Sequence, residues 1–283
     1  MFDRYFEYSV KSGTRSSRFG QHASRRHRIG LSSPLPPQKV TLTVTDNKLQ
    51  LIDLLCVELV RKGRETGLKH KLVVTGRDPL PIEMSENIAS ARCDLLTHHE
   101  EADVIMVQQM AKLAFSGAKA ISVVCDDTDI FILLVNFYAV LGLTCNLTMD
   151  ATGSDRTLID IPATVKRHAD IVPNLLAMHC LSGCDTVGQI YGIGKSTALK
   201  SLRAGLTLSS LGCTDACLPD VIAEATEFTA NCFNSKKKDM SEVRVEMWAK
   251  MMSRKRVSAA PQLKSLPPTS EAFAQNVRRS HFS

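Results

Sequence analysis

The composition describes a globular chain whose charge is strongly segmented. The chain has 283 residues, of which 44% are hydrophobic and 23% charged, a balance that excludes disordered and fibrous proteins. The net charge of +6 divides into +6 for residues 1–40, −7 for residues 41–234 and +7 for residues 235–283. Because no apolar run approaches the roughly 20 residues of a membrane helix and no signal peptide is recognisable, we expect no membrane partner.

The first half of the chain alternates between helical and strand patterns. Apolar residues at helical spacing predict a helix from Asp46 to about Lys62, and Lys71–Val74 is predicted as a short strand. A capping-box pattern begins a second helix over 97–117. The β-branched run Ala120–Cys125 is predicted as a fully buried strand, and the apolar run Ile130–Val135 follows it.

The second half becomes helical after two further strands. Leu143–Met149 and Leu158–Ile161 are strand candidates, and helices are predicted over Leu175–Leu181, Lys195–Leu202 and Ser241–Met252. Strands that alternate with helices and then give way to helices alone predict a parallel α/β sheet followed by a helical subdomain.

The nine cysteines are an odd number, which predicts reduced thiols in an intracellular protein. Two pairs, Cys180 with Cys184 and Cys213 with Cys217, have a spacing that suits either a zinc site or one turn of helix. No matching pair with histidine accompanies them, so helix packing is the favoured interpretation and structural zinc the alternative.

The acidic run after Ala120–Cys125 is the first candidate site. Asp126, Asp127 and Asp129 follow a predicted strand, and ligands of open α/β sheets bind at the carboxyl ends of strands. Three carboxylates so close together repel one another unless a cation neutralises them. A solvated loop could carry the same cluster, and that alternative stays open.

A glycine-rich turn is the second candidate site. Tyr191-Gly192-Ile193-Gly194-Lys195 has the pattern of a hairpin between two helices, with the small Ala198 one turn further on. Backbone N–H groups at the start of such a helix can hold a phosphate. A nucleotide-binding P-loop is excluded, because Gly188 is one residue too far from Gly194-Lys195.

Five motifs follow one another along the chain: Phe2-Asp3, Glu101-Ala102-Asp103, Asp127-Thr128-Asp129, Leu181-Ser182-Gly183-Cys184-Asp185 and Tyr191-Gly192-Ile193-Gly194-Lys195. Their order over roughly residues 1–205 resembles the flap-endonuclease-like, structure-specific nucleases, which have a PIN-like fold. The Gly-Cys-Asp and Gly-Ile-Gly-Lys parts carry most of the resemblance. The whole chain also looks like a group of multicopy animal proteins with Asp-Asp-Thr-Asp and Ser-Gly-Cys-Asp-Thr motifs.

The resemblance implies two divalent ions, Mg²⁺ or Mn²⁺, bound by carboxylates. Such a pair, about 3.5–4 Å apart, activates water and stabilises the leaving oxygen in phosphodiester cleavage. The implied ligands fall in two groups: Asp3, Glu101 and Asp103 in one region, and Asp127, Asp129 and Asp185 in the other. The implied catalytic residues are the same ones without Asp3.

The resemblance also implies two nucleic-acid contacts. A basic arch would neutralise phosphate near the site, and the hairpin would grip the duplex backbone without reading bases. The arch residues are Lys11, Arg15, Arg18, Arg25 and Arg26, and the hairpin residues are Gly192, Gly194, Lys195 and Lys200. The alternative for the arch is a solvated basic arm.

Three departures from the family pattern shape the prediction. The chain begins at Met1-Phe2-Asp3, so a first strand and one family aspartate are missing; Asp103 replaces a glutamate, and Thr186 stands where the family tends to have tyrosine. We therefore expect a PIN-like three-layer parallel sheet that is truncated at its N-terminus. The expected divisions are a basic segment (1–40), an α/β nuclease core (41–180), a helix-hairpin-helix subdomain (181–235) and a basic helical tail (236–283).

The resemblance therefore implies a metal-dependent nuclease-like protein that acts on branched or flapped nucleic acid, DNA rather than RNA, and that is inactive if the truncation removes its metal geometry. The alternatives are a nucleic-acid-binding module without catalysis and an α/β interaction protein. A nuclear location is favoured over a cytoplasmic one, no small-molecule substrate is evident, and the oligomeric state is left open.

Overall fold

The computed structural model describes residues 26–35, 37–66, 70–76, 78, 80–97, 99, 101–152, 157–254 and 262–282. The chain divides after Gln109 into two compact units, which are described separately. This division falls inside the predicted 41–180 core, and the predicted domain boundaries stay predictions. Within the described ranges, none of the helices combines the length and apolar character that a membrane crossing needs.

The N-terminal unit pairs a long helix with a small sheet. The helix α2 packs on all three strands of an antiparallel sheet whose order is β1-β2-β3. Its core includes Met84, which is fully buried, and Val74. The elements of this unit are α1 (Gln38–Thr43), α2 (Thr45–Thr66), β1 (Leu72–Val74), β2 (Ile82–Ser85), β3 (Ile88–Ala91) and the greater part of α3 (Ala102–Phe115).

A tight turn explains why the N-terminal sheet is antiparallel. Glu86 and Asn87 have φ angles of 48° and 69°, and this left-handed pair joins β2 to β3 as a hairpin. Two consecutive positive φ values match the right-handed twist of the strands that such a turn connects. Strand β1 pairs with the other edge of β2, also in antiparallel orientation.

The C-terminal unit contains a second three-stranded sheet and most of the helices. Its order is β4-β5-β6, with β4 and β5 parallel and β5 and β6 antiparallel. Its elements are β4 (Ala120–Val124), α4 (Thr128–Val140), β5 (Asn146–Asp150), β6 (Leu158–Asp160), α5 (Ile161–Arg167), α6 (Val172–Leu181), α7 (Lys195–Arg203), α8 (Leu218–Cys232), α9 (Met240–Arg254) and α10 (Ser270–His281).

Helix α6 lies at the centre of the C-terminal unit. It packs against α4, α7 and α10, and its apolar side chains Leu175, Met178 and Leu181 are buried. Because a helix with neighbours on several sides is apolar around most of its circumference, a polar residue in it is conspicuous. Among the residues of α6, His179 is the buried polar side chain that contacts a carboxylate, that of Asp129.

The mixed α/β class is confirmed, and the predicted strands and helices of the second half occur close to the predicted positions. In place of the predicted single parallel sheet, the described residues form two three-stranded sheets, and within them parallel pairing occurs between β4 and β5. The prediction that Ala120–Cys125 is fully buried is wrong: in β4 only Val123 is buried, and Val124 is 61% exposed. The reason is that β4 is an edge strand with one partner.

Candidate functional site

A cleft of about 380 Å³ opens in the C-terminal unit where α4 begins, α6 ends and α7 begins. Two of the motifs found in the sequence contribute to the cleft: the acidic run lies at the start of α4, and the Ser-Gly-Cys-Asp motif lies at the end of α6 and in the loop that follows. The lining residues are Thr128, Asp129, His179, Ser182, Gly183, Cys184, Asp185, Val187, Gln189 and Lys195.

Gly183 shapes the loop that leaves α6. Its φ of 107° lies in the region that favours glycine, and it directly follows the helix C-cap Ser182. A Cβ at this position would lie 2.6 Å from the backbone Cα of Gln189. The glycine of the Ser-Gly-Cys-Asp motif is therefore required by backbone geometry, which is a structural reason for this part of the motif.

Lys195 holds the C-terminal end of α6. Its Nζ donates to the carbonyl oxygens of His179 (2.6 Å) and Gly183 (2.5 Å) and to Oγ of Ser182 (3.0 Å). An ammonium group has three N–H donors, so all three are used by protein oxygens. The cation also complements the negative end of the helix dipole.

Burial lowers the pKa of Lys195, while the nearby charges of Cys184 and Asp129 oppose that effect. The hydrogen bonds and the half-buried position give Lys195 a structural role. The predicted phosphate contact from its side chain would require at least one of these bonds to break.

Asp126 and Asp127 of the acidic run each accept hydrogen bonds within the protein. Asp127 is the N-cap of α4, and its carboxylate accepts a hydrogen bond from the backbone N–H of Asp129 (2.8 Å). Asp126 accepts from the backbone N–H of Thr152 (2.7 Å) and from its hydroxyl. The run therefore tethers the loop after β5 and begins a helix, as well as placing carboxylates at the cleft.

Asp129 is hydrogen-bonded to a buried histidine. Nε2 of His179 lies 2.9 Å from Oδ1 of Asp129, and the histidine side chain is only 5% exposed. Asp129 itself lies in the first turn of α4, where a carboxylate complements the helix dipole. The pair thus joins α4 to α6 directly beside the cleft.

Two cysteine thiols belong to this part of the chain and influence each other's pKa. Cys180 lies in the last turn of α6, and Sγ of Cys184, in the loop that follows, lies 3.1 Å from Oγ1 of Thr186. The interaction with Cys180, together with hydrogen bonds from Thr186 and Val187, outweighs burial and lowers the pKa of Cys184 to about 5. The same interaction, added to burial, raises the pKa of Cys180.

The predicted glycine turn directly precedes α7, but α6 ends at Leu181 and residues 182–190 form a loop between that helix and the turn. Gly192 has a φ of 83°, the backbone N–H of Ile193 donates to the carbonyl of Ile190 (3.1 Å), and Gly194 is the N-cap of α7. Ala198, the predicted small residue, is fully buried. The turn is anchored by buried apolar side chains, and its outer surface is exposed.

The hairpin lysines differ in exposure. Lys200 is exposed on α7, whereas Lys195 is half-buried and bonded as described above. Lys200 lies in the last turn of α7, six residues after the N-cap Gly194, so it adds exposed positive charge to the helix that follows the glycine turn.

The remaining predicted residues fall into two groups. Glu101 and Asp103 belong to the N-terminal unit, where Asp103 lies in the first turn of α3. Arg26 forms an exposed ion pair with Asp46 at 3.3 Å. The predicted residues outside the described part of the chain are Asp3, Lys11, Arg15, Arg18 and Arg25.

Metal ligation in the described residues is limited to partial sets. Among them, no group of three or more His, Cys, Asp or Glu side chains has a geometry that could hold a metal ion. Asp129 and Asp185 are the two carboxylates that line the cleft. Comparison with protein-family models, with curated proteins and with solved structures gives no match.

Sequence reasoning missed two features of the cleft: the buried His179, and the clamp that Lys195 forms through its hydrogen bonds to the end of α6. A signal for His179 was present, because His179 and Cys180 directly precede the Leu-Ser-Gly-Cys-Asp motif. The clamp had no local signal, since its bonds join residues 12 to 16 positions apart.

Proposed function

We propose that the chain is a divalent-metal-dependent nuclease-like protein that hydrolyses phosphodiester bonds in branched or flapped nucleic acid, DNA in preference to RNA. The observation that carries the proposal is that Asp129 and Asp185, distant in sequence, line one cleft beside the glycine hairpin. The PIN-like arrangement of layers, the arch and a nuclear location are parts of the same proposal that rest on the sequence resemblance.

Two carboxylates would be enough protein ligands for one magnesium-like ion. Mg²⁺ is commonly bound through one or two carboxylates, with waters and substrate phosphates completing the shell, and Asp129 and Asp185 would supply those carboxylates. A bound ion would supply Lewis-acid polarisation of the phosphodiester and stabilise the leaving oxygen. A second ion, at Asp3, Glu101 and Asp103, is proposed from the resemblance alone.

The chain's own residues would orient and bind the substrate. His179 holds the Asp129 carboxylate in position through the 2.9 Å hydrogen bond, and the hydrogen bond from Lys195 to the Gly183 carbonyl fixes the loop that carries Asp185. The Gly192–Gly194 turn and the N–H groups at the start of α7 would bind the duplex backbone, and Lys200, in the last turn of that helix, would add positive charge.

Cleavage of a flapped duplex by recombinant protein in Mg²⁺ or Mn²⁺ tests the proposal. We expect Asp185→Asn and Asp129→Asn each to lower the cleavage rate by about 100-fold or more, because even second-shell changes at metal sites cost 10–100-fold. The matched control is Asp126→Asn, which alters the same acidic run at the residue that binds Thr152 and should cleave normally. Wild-type protein without activity, or equal activity in all variants, rejects the proposal.

A nucleic-acid-binding module without catalysis is the second candidate, and the Asp129–His179 pair favours it. That pair satisfies one carboxylate within the protein, which lowers its availability to an ion. This candidate predicts salt-dependent binding that survives Asp129→Asn and Asp185→Asn and weakens with Lys200→Glu. Lys200 is the informative lysine, because replacing Lys195 would also break the clamp.

A further inference from the structure

Helix α9 exposes two large apolar side chains that the proposed function does not use. Trp248 is 45% exposed and Val245 is 64% exposed, and residues three positions apart are neighbours on the surface of a helix. The inner side of α9 is fixed in the C-terminal unit, because Met240 and Val243 are buried and the helix contacts α8 and α10. The indole of Trp248 therefore lies on the outer side of a helix that the fold holds in place.

The chain around this outer face is strongly basic. Residues 235–283 have a net charge of +7, and an exposed run of three lysines, 236–238, directly precedes α9. The two acidic residues of α9 each pair with a lysine: Glu242 with Lys237 (3.5 Å) and Glu246 with Lys250 (2.6 Å). The charge that remains is positive, so this surface is complementary to an anionic partner.

We propose that α9 and the lysines before it bind single-stranded nucleic acid, with a base stacked on the indole of Trp248 and phosphates beside Lys236 and Lys238. Sites of this kind combine aromatic side chains, on which bases stack, with cations that follow the backbone. In a duplex both faces of an internal base are covered by its neighbours, so a stacking contact selects unpaired strands. None of the residues that line the cleft belongs to α9, and the contact needs neither a metal ion nor cleavage, so it goes beyond the proposed function.

The dimensions of α9 allow one strand to make both contacts. Trp248 lies eight residues after Met240, the first residue of the helix, which is about 12 Å along the axis at 1.5 Å per residue. The lysine run ends two residues before the helix begins. A base on the indole and a phosphate at the lysines are therefore a few nucleotides apart, within the roughly 4–16 nucleotides that such sites cover.

Two other partners fit this surface less well. A second copy of the chain would bring two basic segments together, and a stable interface buries about 800 Å² on each partner, more than two exposed side chains provide. A helix that lies in a membrane interface presents a broad apolar face. Among the described side chains of α9, the large apolar ones that are exposed are Val245 and Trp248, so the outward apolar face is narrow.

Trp248 is itself the probe for this contact, because it is the single tryptophan of the chain. The full chain, in EDTA and low salt, is titrated with oligothymidine of about 12 nucleotides and with a blunt duplex of the same length. We expect the single strand to quench the fluorescence of Trp248 and to shield the indole from acrylamide, and the duplex to change it little. Because EDTA removes divalent ions, a failure at α9 is distinguishable from a failure of the metal-dependent cleft.

Substitutions on the outer face separate stacking from attraction between charges. With a fluorescein-labelled strand, Trp248→Ala should lower the affinity about 5- to 100-fold, as the loss of one stacked base does, and Trp248→Phe should restore most of it. The matched control is Val245→Ala on the same face. It removes no ring, and we expect it to change the affinity less than about 2-fold.

Charge reversals test the phosphate contacts. Lys238→Glu should weaken binding and reduce the slope of log K against log salt by about 0.7, the value for one phosphate of a single strand. Lys166→Glu, exposed on α5, is the control and should leave that slope unchanged. Lys200→Glu, which tests the glycine hairpin, should leave the quenching of Trp248 by the single strand in place.

Three results overturn the proposal: a single strand that leaves the fluorescence of Trp248 unchanged at low salt, a duplex that quenches it equally, or a Trp248→Ala protein that binds the strand as tightly as wild type. Two more contradict it by assigning the face elsewhere. These are an emission shift with phosphatidylserine vesicles but not with oligothymidine, and a dimer that Trp248→Ala abolishes in place of binding to the strand. The wild-type titration decides the matter even if a variant fails to fold.

Discussion

Two charged side chains in the C-terminal unit each hold a loop, and comparing them shows what distinguishes a candidate site from a structural anchor. Lys195 donates three hydrogen bonds to oxygens at the end of α6. The carboxylate of Glu224 on α8 accepts hydrogen bonds from the backbone and hydroxyl groups of Ser209 and Ser210 and from the hydroxyl of Thr207. Each buries charge against neutral polar groups.

The two anchors differ in what lies next to them. The partners of Glu224 are neutral backbone N–H and hydroxyl groups of the 207–210 loop. Lys195, in contrast, lies close to Asp129, Cys180 and Cys184, and it borders the cleft. A charged side chain that only satisfies backbone groups is explained by folding, whereas ionisable groups that remain beside such an anchor need a further explanation.

The largest effect is expected from breaking the loop that Lys195 holds. Gly183→Ala should destabilise the C-terminal unit by about 3 kcal/mol or more, because a positive φ costs a non-glycine residue about 1–3 kcal/mol and the new Cβ would overlap the backbone of Gln189. Urea unfolding followed by the fluorescence of Trp248, the single tryptophan, measures this.

Gly188→Ala is the matched control for that substitution. Gly188 lies in the same loop, and a Cβ added there meets nothing within 4 Å. We expect it to change the free energy of unfolding by less than about 1 kcal/mol. Equal effects from the two glycines would contradict the assigned role of Gly183.

The next effect tests the anchor itself. Lys195→Met should lower the free energy of unfolding by about 2–3 kcal/mol, since hydrogen bonds to charged groups contribute about 1.5–3 kcal/mol each and the desolvation that lowers the pKa of Lys195 offsets part of their sum. Lys200→Met, on the exposed face of the same helix, should change it by about 0.5 kcal/mol or less. A Lys195→Met protein as stable as Lys200→Met would show that the bonds to α6 are not stabilising.

The parts of the fold that local patterns specify could be predicted from the sequence. The helices over 172–181 and 195–203 and the strand over 146–150 follow from apolar spacing, glycine turns and β-branched runs. The hairpin at Glu86 and Asn87 was missed, because neither residue is the glycine that usually marks a turn with two positive φ values.

The site could be predicted only where its residues belong to a motif. Asp129 and Asp185 were found from their motifs, and the structure places both at the cleft. Asp129 and His179 are 50 residues apart in the sequence. Their contact depends on how α4 packs against α6, and no local sequence pattern encodes that packing. For the same reason the sequence suggested that Lys195 binds phosphate, while its bonds to the end of α6 appear only when α7 is packed beside it.

The smallest expected effect is the pH-dependent contribution of Glu224 to the stability of the folded state. Burial opposes ionisation of Glu224, but hydrogen bonds from Ser210 and Ser209 outweigh it and hold its pKa below the ordinary value of 4.5. Because the folded pKa is the lower one, the carboxylate stabilises the native state above about pH 4.5, and this contribution disappears as the pH falls through the folded pKa. Glu224→Gln should therefore cost about 1–2 kcal/mol at pH 7 and progressively less below pH 4.5.

Urea unfolding of wild type and Glu224→Gln between pH 3 and pH 7 measures this convergence. Glu227→Gln, exposed on the same helix, serves as the control and should change stability by about 0.5 kcal/mol or less at each pH. A Glu224→Gln deficit that stays constant down to pH 3 would mean that shape, and not charge, holds the 207–210 loop. In that case the two anchors would differ in kind, because only the one at the cleft would depend on the charge of its side chain.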